Sequence, residues 1–142
     1  MDEDGLFSPE TVEEAREAYE AVGPAAQIVV RETARAMGFD REEYRERVTG
    51  DVVETARDAL FASLLVVRVG DRAEFEAWRE EHPEYEVFET GSENVARVAW
   101  HAAPFVETAV AATFQNEPEA AVGTLRRQAF GRIYRPEFYP EE

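Results

Sequence analysis

The spacing of apolar residues switches period inside one stretch, and the rest of the chain is read around it. In Asp51 to Gly70, DVVETARDALFASLLVVRVG, Val53, Ala56, Leu60 and Leu64 recur at helical spacing, and Phe61 widens the stripe. From Leu65 the residues turn mostly β-branched, with Val66, Val67 and Val69, and the run stops at the turn signal Gly70-Asp71. This predicts a helix feeding directly into the strand Leu65–Val69, which is too apolar to be solvated on both faces.

Upstream the pattern is helical. Ser8 and Pro9 fit an N-cap and first helical position, ahead of the stripe Val12, Ala15, Tyr19 and Val22 and a stop at Gly23-Pro24. Ala25 to Met37 predicts a second helix whose apolar residues nearly encircle it. Such a helix belongs at the centre of a bundle or in an interface. Asp40 with Glu43 has capping-box spacing and opens the polar helix REEYRERV, which exposes all but Tyr44 and Val48. Thr49-Gly50 either kinks it or separates it from the organising helix.

Downstream, Asp71 with Glu74 forms a second capping-box pattern, opening a helix with Phe75 and Trp78 on one side and closed by His82-Pro83. Tyr85, Val87 and Glu89 alternate with Glu84, Glu86 and Phe88, predicting a strand that ends at the Gly91-Ser92 turn. Residues 93–103 fit both periods. The strand is preferred, because 109–114 then becomes its hairpin partner across a loop containing Pro104. Asn116-Glu117-Pro118 opens a final helix, Glu119 to Arg135. The expectation is a single domain over 1–142, with a short polar start at 1–7 and a Pro-rich acidic tail at 136–142. Its class is α+β: an N-terminal segment of three helices, then a small, mostly antiparallel sheet with two further helices.

Charge changes this picture more than any motif. Asp+Glu is 31 against Lys+Arg 15, for a net charge of −16, and every basic residue is arginine. So much like charge strains a compact chain at ordinary ionic strength. Near 1 M salt the Debye length falls to ~3 Å and screens much of it. The composition therefore reads as a salt-adapted cytoplasmic protein, against the plainer alternative of an acidic mesophilic protein with arginine-biased coding. There is no cysteine, which excludes disulfides and thiolate chemistry. MDEDGLFSPE lacks the basic and apolar regions of a signal peptide. No apolar run is long enough to span a bilayer, so no membrane partner is expected.

Catalytic signals are sparse. His82 and His101 stand in no HxH, HxxxH or HExxH spacing, so no metal is expected. His82 closes a predicted helix, where partial positive charge suits the dipole. No glycine-rich nucleotide motif is present, and the absence of lysine removes P-loop and Schiff-base chemistry, so no cofactor is expected. Ser8, Ser63 and Ser92 lack a nucleophile context. His101 is a weak catalytic candidate beside Trp100. On a strand the two rings point to opposite faces, and a structural histidine is the plainer reading.

The last helix is the most distinctive text. Val122, Leu125, Ala129 and Ile133 form its buried stripe, with Arg126 near the stripe edge beside Phe130. Gly123, Arg127, Phe130 and Tyr134 form an adjoining face. With Arg132 and Arg135 this is a basic island, explained most plainly by pairing with the chain's own carboxylates. The candidate ligand- or partner-binding residues are Trp100, His101, Arg126, Arg127, Phe130 and Tyr134.

DALFASLL (58–65), AEFEAW (73–78), VAWHAAPF (98–105) and AAVGTLRRQAFGRIYR (120–135) together give the chain a resemblance to an uncharacterised protein family of haloarchaea, a domain of unknown function. The resemblance implies a halophilic cytoplasmic setting and brings no catalytic residues with it. The leading expectation is a non-enzymatic binding or assembly domain with a protein partner or as a homo-oligomer. The alternative is a small enzyme or ligand-binding protein with a pocket near Trp100, His101 and Arg126. A further one is a ribosome- or RNA-associated factor using the Arg/aromatic final helix. Nucleic acid is disfavoured, because salt weakens such binding steeply.

Overall fold

The computed structural model describes residues 1–92 and 95–140. In chain order these are β1 (Asp2–Asp4), α1 (Val12–Ala21), α2 (Gly23–Ala36), α3 (Arg41–Arg47) and α4 (Gly50–Ser63). Next come β2 (Val67–Asp71), α5 (Arg72–Glu81), β3 (Glu86–Thr90), β4 (Arg97–Ala103) and β5 (Thr108–Phe114). The chain closes with α6 (Pro118–Ala129), a π-helical turn over Phe130–Tyr134, and α7 (Arg135–Phe138). The strands form one sheet in the order β1-β2-β4-β5-β3. The fold is α+β with a five-stranded mixed sheet.

Strand alternation divides the core into two layers. Val98 and Trp100 of β4, with Ala109 and Ala111 of β5, face α5 and pack on Phe75 and Trp78. Ala99 and Ala103 face the other way, onto α4 and α6, with Val67, Val69, Val110 and Ala112. The alanines keep that face shallow, and Phe61 of α4 fills the space above it. Phe61 is fully buried. The rings of Phe7, Tyr19, Phe130, Tyr134 and Phe138 surround it at centroid separations of 5.2 to 6.0 Å. Burying such a side chain contributes about 3 kcal/mol.

Several local expectations hold. The hairpin of β4 with β5 forms through antiparallel pairs from Arg97↔Phe114 to Ala103↔Thr108. Asp71 and Glu74 make a complete capping box. Asp40 accepts the Glu43 N–H and caps α3. Thr49-Gly50 separates α3 from α4, so four helices precede β2 rather than the three expected. The ambiguous stretch at 93–103 is a strand from Arg97; residues 93 and 94 lie outside the described residues.

Others are corrected. The sheet does not simply follow the helices, because β1 precedes them and pairs antiparallel with β2, Asp2↔Val69 to Asp4↔Val67. The polar start is thus an edge strand. Gly5, at φ +124°, turns the chain so closely over Leu65 that a Cβ would lie 2.4 Å from its carbonyl oxygen. Leu6 and Phe7 then donate their N–H groups to Leu64 O at 2.7 and 2.8 Å. This pairing delays the first helix, whose cap is Thr11 rather than Ser8.

The sheet is also not wholly antiparallel. β3 runs parallel to β5, Glu86↔Thr108 to Thr90↔Ala112. Both edges of β4 are taken, by β2 and β5, so β3 has only the far side of β5 to join. The final helix does not run uniformly to Arg135. It widens into the π turn and continues without a break as α7 to Phe138, with Phe138 and Tyr139 packed on the core. Residues 141 and 142 of the expected acidic tail lie outside the described residues.

Candidate functional site

The residues singled out from the sequence scatter across the sheet. Trp100 and His101 are both buried, on opposite faces. Trp100 lies under α5 beside Phe75, at 5.1 Å between ring centroids, and its indole nitrogen has no hydrogen-bond partner among the described residues. His101 lies under the π turn. Its Nδ1 stands 2.6 Å from Val66 O and its Nε2 2.7 Å from the Tyr134 hydroxyl. A carbonyl can only accept, so Nδ1 carries the proton and Nε2 accepts from Tyr134. Burial, with Arg126 and Arg68 adding repulsion, depresses the His101 pKa to about 4, so the ring is neutral near pH 7. Burial also raises the Tyr134 hydroxyl well above its usual range.

The other candidates divide between tie and surface. Arg126 shares the face of His101 but turns to the backbone: Nε donates to Leu65 O at 2.9 Å and Nη2 to Asp4 O at 3.2 Å. It therefore fastens β1 and the segment leading into β2 to α6. Phe130 and Tyr134 are buried around Phe61. Arg127 is exposed and donates to Thr124 Oγ1 at 3.4 Å. Trp100 lies on the other face of the sheet from His101 and Arg126, so the three do not converge. His82 ties back to Trp78 O at 2.8 Å and stacks on the Trp78 ring, a structural role. Among the described residues no group of three His, Asp or Glu could hold a metal, and no helix is long and apolar enough to cross a membrane.

The open surface lies on the helical hairpin. α2 buries only Ala26, Val30 and Ala34, one seam at i, i+4, i+8 that packs on α4. The rest of its apolar circumference faces solvent, with Ile28 55%, Val29 46% and Met37 63% exposed. On α4, Val52 is 41% exposed. Val29, Thr33 and Met37 line one wall of a groove of about 440 Å³, and Val52, Thr55 and Ala59 line the other. Phe39 closes its end, with the Arg47 guanidinium 5.5 Å from the ring centroid. The connecting helix α3 buries no side chain.

Charge marks the same region. Residues 31–47 contain five arginines and five carboxylates, so the −16 is carried entirely by the rest of the chain. The near-encircling apolar pattern of α2 pointed to this surface. The α4 wall escaped notice because Val52 and Ala59 lie off the stripe that the spacing of Val53, Ala56 and Leu60 defines.

A family model described as "Family of unknown function (DUF5809)" matches residues 6–135, and the chain belongs to that family. No curated protein and no solved structure matches it.

Proposed function

We propose that this member of a family of unknown function is a non-enzymatic assembly domain of a salt-adapted cytoplasmic protein. Its α2–α4 groove takes the same groove of a second copy. The observation that carries this reading is the apolar groove with exposed Val29, Met37 and Val52, flanking the charge-balanced segment 31–47 of a chain of net charge −16. Contiguous exposed apolar surface marks an interaction site. The hairpin, residues 23–63, carries six arginines against eight carboxylates, so two copies meet there with little net charge. Two hairpins packed face to face give a four-helix bundle about a two-fold axis, a self-complementary arrangement. High salt favours it further by screening the remaining carboxylates.

Light scattering in about 2 M KCl, where the Debye length is only a few ångströms, tests this. The expected particle has twice the chain mass of 16.1 kDa. Val29→Asp places a carboxylate in the groove wall and is expected to return the particle to the chain mass. A monomeric unmodified protein overturns the reading, as does a dimer indifferent to Val29→Asp.

A further inference from the structure

Arginines on an acidic chain ordinarily find carboxylates. Here Arg68, Arg72 and Arg126 do so, and others bond to carbonyls or lie over rings, as Arg57 does over Tyr19 and Arg132 over Phe88. Arg31 of α2 and Arg41 and Arg45 of α3 are different. Among the described residues their side chains make no hydrogen bond, ion pair or ring contact. All three line one cleft of about 710 Å³ where α2 passes into α3, together with Arg35 and Tyr44. Arg35 has only Glu32, at 3.4 Å in an exposed pair, and such pairs hold weakly. The carboxylate in the cleft wall, Asp40, already accepts the Glu43 N–H at 2.8 Å.

We propose that this cleft binds a small phosphorylated molecule carrying an aromatic ring, of the nucleoside di- or triphosphate class. Four guanidiniums present planar donor forks suited to phosphate oxygens. A lone carboxylate ligand is a poor match, since it competes with the 31 carboxylates the chain itself supplies. A phosphoryl chain offers several oxygens and more than one charge, and so engages two or more forks at once. Tyr44, 37% exposed at the cleft, offers a ring face for stacking. The cleft has the size of a small-molecule site. A nucleic-acid strand fits less well, because it would run off this neutral stretch onto strongly acidic surface.

This inference stands on the unpartnered arginines and is independent of the groove between α2 and α4. Calorimetry on the full chain at constant ionic strength tests it, with ATP and inorganic tripolyphosphate as probes. Both are expected to bind, ATP the more tightly. Arg41→Gln with Arg45→Gln is expected to weaken both at least tenfold. Tyr44→Ala is expected to lower ATP affinity toward that of tripolyphosphate and to leave tripolyphosphate unchanged. Arg127→Gln, on α6, is expected to change neither. These variants alter exposed side chains, and the mass of the particle reports separately on assembly. The proposal is overturned if neither probe binds, if Arg127→Gln weakens binding as much as the cleft variants, or if an RNA oligonucleotide binds more tightly than ATP.

Discussion

Tyr134 donates its hydroxyl proton to Nε2 of His101 across 2.7 Å, and the opposite nitrogen of the same ring donates to Val66 O. The imidazole thus joins the π turn to the segment leading into β2, in the neutral form. Its pKa is depressed from 6.5 to about 4, chiefly by burial. The unfolded chain therefore binds the proton more readily than the folded one. The stabilisation is complete above the unfolded value and declines as pH falls from about 6.5 through about 4. The loss is on the order of 3 kcal/mol at the acid end. Urea unfolding across that range is expected to show it. His101→Leu should be less stable at pH 7, because Val66 O and the Tyr134 hydroxyl lose their partner. Its stability should also fall less on acidification. An acid response identical to that of the unmodified chain contradicts the assignment.

Tyr19 and Tyr139 both donate to Oδ1 of Asp58, at 2.6 and 2.8 Å. Burial and the Asp58 carboxylate push the Tyr19 hydroxyl up to about 12, so it stays protonated and keeps donating. This clasp holds the C-terminal segment across α1 and α4. Tyr139→Phe is expected to cost about 1 kcal/mol and to speed proteolysis beyond Tyr134 more than elsewhere. Uniform cleavage, with no change at the C-terminal end, counts against a local clasp.

Arg126 joins three elements through backbone carbonyls of Leu65 and Asp4. Arg126→Ala leaves these acceptors without their charged donor and is expected to cost about 2 kcal/mol. Amide exchange should accelerate first in β1, which pairs only with β2 and has no buried residue. If β1 amides keep their protection, the arginine is not what holds that edge.

The elements were legible wherever local chemistry decided them. Asp71 with Glu74, the Pro104 break and the buried stripe Val122, Leu125, Ala129 and Ile133 each act within a few residues. What the spacing could not reveal depends on partners distant in sequence. Asp2–Asp4 carries no strand signal of its own and is extended because β2 has a free edge. The position of β3 on the outer side of β5 goes with β4 being occupied on both sides. Arg126 reads as a candidate ligand-binding cation because the carbonyls that accept its hydrogen bonds, of Leu65 and Asp4, are invisible in side-chain patterning. The arginine cleft was hidden in a helix that reads as solvated surface, since REEYRERV shows its carboxylates as plainly as its guanidiniums.

The parallel pairing of β3 with β5 also orders events in time. β4 and β5 are joined by a short connection and can zip together early. β3 precedes both in the chain, yet has no edge to join until β5 is in place, and closing that longer loop costs more entropy. Helix α5 touches Tyr85, the residue before β3, through the Trp78 ring, and its Phe75 and Trp78 are covered by Trp100 of β4. The layer on that side of the sheet is therefore expected to be completed late, and a chain interrupted before β4 leaves Phe75 and Trp78 without their Trp100 cover.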